Sequence, residues 1–152
     1  MISKTLKIDQ LAKKAKSLKG LENLVPPPTG WIKTIRLALG MSARQLGDKL
    51  HITRQGVQEM EKREKDGAIT IQSLREVARA LDMNFVYGFV PKDGTFEALI
   101  DRKARELATR IVLRTSQSMQ LEDQENSPQR IQKAIEERTE AIKKEIPKTL
   151  WD

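Results

Sequence analysis

The chain has 152 residues, a net charge of +7, one histidine and no cysteine, a size that suits one domain with extensions or two small domains. Without cysteine there are no disulfides, thiol nucleophiles or cysteine-ligated metals, and the lone His51 cannot form a two-histidine zinc site. No stretch approaches the roughly 20 apolar residues of a membrane span, and Met1–Lys7 leads into no signal-peptide apolar run. We therefore expect a cytoplasmic protein that binds no membrane, no metal and no cofactor.

The excess positive charge lies almost wholly in the first quarter of the chain. Residues 1–40 contain eight Lys or Arg against two acidic residues, whereas residues 91–152 contain twelve of each. A basic segment indicates a polyanion partner, and nucleic acid is the first candidate. A solvated, solubilising tail is the alternative.

Residues 1–25 are predicted to form a basic helical arm, because Leu11, Ala12, Ala15 and Leu18 keep helical spacing among lysines. Three consecutive prolines at 26–28 break the chain after it. Two roles are open for the arm: its lysines touch a DNA backbone without sequence preference, or its apolar face docks on protein.

Residues 29–83 contain the pattern of four short helices. Thr29 can cap the first, and Gly40 can end it. Ser42 with Gln45 reads as a capping box for the second, and Thr53 and Thr70 can cap the third and fourth. The apolar positions that recur at helical spacing include Ile32, Ile35, Leu46, Leu50, Val57, Met60, Leu74, Val77 and Leu81.

Residues 84–91 have the alternation of a β-strand, with aromatics at 85, 87 and 89. A single strand leaves its backbone donors and acceptors unpaired. Pairing with the same strand of a second subunit would satisfy them, and the residues predicted to mediate dimerisation are Phe85, Val86, Tyr87 and Phe89. The alternative is an extended segment that packs on the fourth helix and never pairs.

Residues 95–152 are predicted to form a C-terminal helical extension, a possible partner-binding region. It consists of two helices separated by a polar loop at Gln120–Ser127, with Pro128 at the start of the second helix. The chain ends on an exposed aromatic, Trp151. The expected fold class is therefore all-α, a helical bundle with one β-strand after it and a helical extension.

The stretch Met41–Glu64 has the spacing of a helix-turn-helix, in which two short helices are joined by three or four residues. Its second helix places long polar side chains on one stripe, opposite Val57 and Met60. Such side chains suit base edges or phosphates. The stripe consists of Arg54, Gln55, Gln58, Glu59 and Lys62.

Ser42–Glu61, with its triplet Gln45-Leu46-Gly47, the apolar Ile52 and Val57, and Glu61, resembles the Cro/C1-type (xenobiotic-response-element) DNA-binding family. The resemblance covers roughly residues 30–83. Three departures are His51 in the turn, where the family usually has glycine, Gly56 early in the recognition helix, where it favours a small hydroxyl, and the missing glycine near Arg63.

The resemblance implies site roles on double-stranded DNA, with a palindromic operator and a homodimer. For Glu59, a role as a spacer or as the partner of an arginine is favoured over the reading of cytosine. For Gln45, the capping box is favoured over a contact with DNA. The implied base-reading residues are Arg54, Gln55, Gln58 and Glu59, and the implied phosphate-binding residues are Ser42, Arg44, Thr53 and Lys62.

A more specific resemblance covers the whole chain, from Gly30-Trp31 through Val86–Lys92 to Leu150-Trp151-Asp152. These segments are similar to the bacterial proteins called mobile mystery protein A, which are similar to antitoxins and associated with a Fic-domain partner. The resemblance implies a repressor that is also the antitoxin of a Fic-domain toxin, in the bacterial cytoplasm and at the nucleoid when bound to DNA.

Two functions from different classes are therefore open. The first is a sequence-specific transcription regulator that acts as an antitoxin. The second is a protein-binding module that neutralises a partner through its C-terminal helices without specific DNA binding. We expect no enzyme and no catalytic residues, because the chain has no glycine-rich phosphate loop and His51 has no serine and acid context.

Overall fold

The computed structural model describes residues 3–121 and 127–152, and most of these residues are helical. The helices are α1 (Lys4–Lys16), α2 (Trp31–Ala38), α3 (Ala43–Leu50), α4 (Arg54–Lys65), α5 (Ile71–Ala80), α6 (Phe96–Leu121) and α7 (Pro128–Glu145), with 3₁₀ turns at Leu21–Asn23 and Lys148–Trp151. The prediction of a mainly helical fold is confirmed, with four helices between residues 30 and 82 and two after residue 95. Within the described residues, no helix is long and apolar enough to cross a membrane.

The chain forms two compact units, of which one is residues 23–88. Helices α2 to α5 pack their apolar faces together in this unit, as the helical spacing predicts. Leu46 of α3 and Val57 of α4 are fully buried. The other buried members of this core are Ile32, Ala43, Val77 and Leu81.

The start of α2 differs from the prediction that Thr29 caps it. Gly30 is the N-cap residue and has no side chain to offer, and the Thr29 hydroxyl lies 3.0 Å from that of Thr34. The carboxylate of Glu64, on α4, accepts hydrogen bonds from the backbone N–H groups of Trp31 and Ile32 at 2.6 and 2.8 Å. A carboxylate at a helix N-terminus satisfies free donors and complements the helix dipole.

The described residues of the other unit are 3–22, 89–121 and 127–152. Helices α6 and α7 run antiparallel, since Asp101 pairs with Lys143 while Arg105, one turn later, pairs with Glu136. Ala104 and Ala108 are fully buried at their contact, and such small side chains let the two helices pack closely. The remaining buried apolar residues of this core are Ile100, Ile142 and Leu150.

Ion pairs around this second core shift the pKa values of two carboxyl groups. The hydrogen bonds from Arg102 lower the pKa of Asp93. Hydrogen bonds from Lys143 and then Arg105 lower the pKa of Asp101, and the bond to Asp101 raises the pKa of Lys143. Each shift favours the charged form of its group, so all three stabilise the folded unit at neutral pH.

The predicted N-terminal helix is present and belongs to the same unit as the C-terminal helices. Ile8 packs against the core of that unit, while Leu11 is 46% exposed. The Lys4 ammonium donates to the carbonyl oxygen of Ile146 at 2.6 Å, so a cation lies at the C-terminal end of α7, where it is favoured.

The prediction of a β-strand at 84–91 is wrong, because the described residues contain no strand. The segment has no partner strand among the described residues, and the backbone groups of residues 84–90 form no backbone hydrogen bonds there, so no ladder exists. Phe85 instead stacks on Tyr87, with ring centroids 5.6 Å apart, and the Arg75 guanidinium lies 5.7 Å from the Tyr87 ring centre. Packing on α5 thus replaces pairing.

The connection between α6 and α7 also differs from the prediction. Helix α6 runs to Leu121, so the predicted loop at Gln120–Ser127 does not begin at Gln120. Residues 122–126 lie outside the described part of the chain. Pro128 is the first residue of α7, as predicted, and the Ser127 hydroxyl caps that helix by accepting from the Arg130 N–H at 3.2 Å.

Candidate nucleic-acid interface

Helices α3 and α4 begin with the caps that the sequence predicts. The Ser42 hydroxyl accepts from the Gln45 N–H at 3.0 Å, and the Gln45 side-chain oxygen accepts from the Ser42 N–H at 2.8 Å. The Thr53 hydroxyl accepts from the Gly56 N–H at 3.0 Å. Each cap fixes the first turn of its helix and leaves the hydroxyl hydrogen free to bond outward.

The turn between α3 and α4 is tight because Gly47 lets the chain pass closely. A Cβ atom at Gly47 would lie 2.7 Å from the backbone oxygen of Ile52, and the Ile52 N–H donates to the Gly47 carbonyl at 2.9 Å. His51 takes the left-handed conformation, with φ 58°. A histidine therefore occupies the position at which glycine would be unstrained.

A buried ion pair holds α4 against α2. The Arg36 guanidinium donates to both Glu61 carboxylate oxygens at 3.0 and 3.2 Å, and also to the Met41 carbonyl at 3.0 Å. Both side chains are more than nine-tenths buried. Such a planar, two-point contact fixes orientation as well as distance, so it sets which face of α4 remains exposed.

The exposed face of α4 carries the side chains that the sequence predicts to read bases. Arg54, Gln55 and Gln58 are exposed, and none of their side chains forms a hydrogen bond or an ion pair in the described part of the chain. Their donors and acceptors are therefore available to a ligand. An arginine matches guanine O6 and N7, and a glutamine matches adenine N6 and N7.

Glu59 lies on the same face but pairs within the protein. Its carboxylate is 3.8 Å from the Arg63 guanidinium, one turn along α4, and both side chains are mostly exposed. An exposed pair of this kind is weak. It supports the interpretation of Glu59 as the partner of an arginine rather than as a reader of cytosine.

The four residues predicted to bind phosphate are all exposed on this unit. Ser42 and Thr53 are the N-caps of α3 and α4, where the backbone N–H groups of a helix favour an anion. Arg44 lies in the first turn of α3 and Lys62 in the last turn of α4, and neither forms an ion pair in the described residues.

The role of three residues that hold this surface in place was not predicted from the sequence. These are the ion pair Arg36 and Glu61, and Glu64, which binds the start of α2. Arg36 follows Ile32 by four residues and Glu61 follows Val57 by four, so both charges occupy core-facing positions of their helices. That pattern is a usable signal, because a charge at a core position is rarely buried unless it is paired. The sequence gives no comparable signal for Glu64.

Among the described residues, no cluster of three or more histidine, aspartate and glutamate side chains is placed to bind an ion. What the surface offers is hydrogen bonding and positive charge, on a helix held by a buried pair.

Residues 32–87 match the family model described as Helix-turn-helix, a range that begins at the second residue of α2, includes α3 to α5 and ends at Tyr87. No curated protein and no solved structure matches the chain. Residues 32–87, somewhat more than a third of the chain, therefore form a helix-turn-helix domain.

Proposed function

We propose that this protein, through the helix-turn-helix domain at residues 32–87, is a sequence-specific transcription regulator that places α4 in the major groove of DNA and acts by binding rather than by catalysis. The observation that carries this proposal is the exposed, unpartnered set of Arg54, Gln55 and Gln58 on a helix fixed from behind by a buried ion pair. A helix-turn-helix reads DNA with the N-terminal residues of its second helix.

The residues of this surface have two different roles, base reading and phosphate contact. Arg54 and Gln55, in the first turn of α4, read base edges. Ser42, Thr53 and Arg44 contact phosphates on either side and set the register of α4 in the groove, since phosphate contacts position a protein without carrying sequence information.

A band-shift assay with DNA from upstream of the protein's own gene tests this assignment. The double variant Arg54→Ala/Gln55→Ala should lose two base contacts worth about 1–3 kcal/mol each, so the preference for operator over random DNA should fall at least ~30-fold. Arg44→Ala is the matched control, because it should weaken binding to both DNAs by the same factor. An unchanged operator preference in the double variant would move the reading surface away from α4.

We further propose that the protein binds a palindromic operator as a homodimer joined near Phe85–Phe89. The backbone groups of Asn84–Val90 form no backbone hydrogen bonds in the described chain, and Val86 and Tyr87 are 72% and 58% exposed. An unpaired extended segment with exposed apolar side chains is a template for pairing with a second copy.

Dimerisation is tested by comparing Val86→Pro with Val86→Ala. Proline removes a backbone donor that a strand ladder would use, whereas alanine keeps it. In sedimentation across a dilution series, the proline variant should dissociate at a concentration at which the alanine variant is still dimeric. A proline variant as stable to dilution as the alanine variant would contradict the strand interface.

The partner of the regulator is proposed to be a Fic-domain toxin, which would make the protein an antitoxin of the bacterial cytoplasm and nucleoid. The support is the resemblance to mobile mystery protein A. The C-terminal unit also has a groove of about 620 Å³ between α6 and α7, lined by apolar residues such as Ile131 and Ala134 and by Arg130 and Arg138. The same groove favours the second candidate function, a protein-binding module without specific DNA binding.

Co-expression with a Fic-domain protein, with the growth of the host as readout, tests the antitoxin role. Ala134→Glu should abolish protection by placing a charge in the groove, and Glu137→Gln is the control, since it changes a charge at the groove without blocking it. If both variants protect as well as the unsubstituted chain, the groove is not the contact. If operator binding is absent while protection is retained, the second candidate function holds.

A further inference from the structure

A second positively charged feature of the helix-turn-helix unit lies beside the reading face. A cleft of about 330 Å³ separates α2 from α4, and three lysines line it: Lys33 from α2, and Lys62 and Lys65 from α4. The other lining residues are Thr29, Arg36, Gln58 and Glu61.

The charge of this cleft is not balanced by its own lining. Glu61 is the only acidic residue there, and its carboxylate is already bound by the Arg36 guanidinium. The three lysines are exposed and form no ion pair or side-chain hydrogen bond in the part of the chain that the structure describes. The cleft therefore carries three uncompensated positive charges, which favour an anionic ligand.

The position of the cleft along α4 indicates which anion it takes. Lys62 and Lys65 follow Arg54 by eight and eleven residues, which places them about 12 and 16 Å further along the helix. The major groove is about 12 Å wide. With Arg54 at the base edges inside the groove, these lysines reach the rim, where the sugar–phosphate backbone runs.

From this placement we propose that Lys33 and Lys65, with Lys62, form a cleft that clamps backbone phosphate at the rim of the groove, on the α2 side of the reading helix. The inference rests on the proposed function, and it adds two residues, Lys33 and Lys65, and a third helix, α2, to the DNA contact. Lysines are point charges without the planar fork of arginine, so the cleft contributes affinity without sequence preference.

The test uses the full chain and a salt series with operator and random DNA. Each phosphate contact contributes about 0.9 to the slope of log K against log salt. Lys33→Gln/Lys65→Gln should therefore reduce the slope by about 1–2 and weaken binding to both DNAs roughly ten-fold at 0.1 M salt. Lys144→Gln/Lys148→Gln is the matched control, because it removes the same charge from exposed lysines of the C-terminal unit and should leave the slope unchanged.

Each outcome bears on the cleft separately from the proposed function. An unchanged slope in Lys33→Gln/Lys65→Gln, with operator preference intact, overturns the cleft and leaves the regulator standing. If the slope is unchanged but NMR shows that inorganic phosphate binds at the cleft, the cleft is a site for a free anion, and the DNA contact is likewise overturned. A reduced slope on DNA that the protein binds without any preference supports the cleft and overturns sequence-specific reading. No DNA binding at all overturns both.

Discussion

Breaking the buried Arg36–Glu61 pair from one side should destabilise the helix-turn-helix unit far more than removing both charges together. Glu61→Leu leaves a guanidinium that is 9% exposed without its carboxylate, and removal of one partner from such a pair costs about 3–5 kcal/mol. Whole-domain stabilities are about 5–15 kcal/mol, so this loss approaches unfolding of the unit.

The double variant Arg36→Met/Glu61→Leu removes both charges and replaces them with side chains of similar bulk. What it leaves behind is the Met41 carbonyl, whose donor at 3.0 Å was the Arg36 guanidinium. An unsatisfied buried acceptor costs about 1–3 kcal/mol. The double variant should therefore be about 2 kcal/mol more stable than Glu61→Leu.

Denaturant unfolding followed by tryptophan fluorescence can measure this difference in the correct unit. Trp31 lies in the helix-turn-helix unit and Trp151 in the other, so a Trp151→Phe background leaves one reporter. If Glu61→Leu and the double variant unfold at the same denaturant concentration, the two side chains are not coupled, and the Arg36–Glu61 pair does not hold α4 against α2.

Three further predictions concern two glycines, His51 and two aspartates. Gly47→Ala should destabilise the helix-turn-helix unit by about 1–3 kcal/mol, because the added Cβ would lie 2.7 Å from a backbone oxygen. Gly56→Ala is the control: its Cβ would lie 3.4 Å from the nearest atoms, so it should stabilise the unit by about 0.5–1 kcal/mol. Equal effects of the two substitutions in thermal melts would refute the close-approach argument. His51→Gly should increase the free energy of unfolding by about 0.5–1 kcal/mol, because glycine adopts the left-handed conformation at φ 58° without strain. The melting temperature should therefore rise, and a lower melting temperature would contradict this prediction. The pKa values of Asp93 and Asp101 are lowered in the folded state. The stabilisation that these carboxylates provide is therefore complete above the ordinary carboxyl pKa and is lost as the pH falls through the lower folded-state values. Acid unfolding of the C-terminal unit should become less steep in Asp93→Asn/Asp101→Asn, and an unchanged profile would show that other carboxylates control it.

Local signals in the sequence were sufficient to predict the helix-turn-helix. The capping residues Ser42 and Thr53 act on backbone groups three residues away, and the core positions Leu46 and Val57 follow the period of a helix. Interactions of this range can be read from the sequence without knowing the fold. The exposed face of α4 could be predicted for the same reason.

Contacts between distant residues could not be predicted in this way. Glu64 binds the start of α2 across 32 and 33 positions of the chain, and nothing near Glu64 in the sequence indicates its partner. The basic cleft has the same origin, because Lys33 joins Lys62 and Lys65 only through the packing of α2 on α4. Such sites require the tertiary structure.

Residues 84–90 show what periodicity alone cannot predict. Their alternation predicts a strand, but it identifies no partner strand, and the described residues form none. Within the chain, the aromatic rings of Phe85 and Tyr87 pack together beside Arg75 instead. Whether a second copy supplies the ladder stays a prediction.

Selection of bound sequences from a pool of random duplex DNA tests most directly the claim that α4 reads DNA. The full chain should enrich one palindromic sequence, and Arg54→Ala/Gln55→Ala should fail to enrich it under the same salt while still binding the pool. Enrichment of the same sequence by both proteins, or of no sequence by the full chain, would contradict the assignment of α4 as the reading helix.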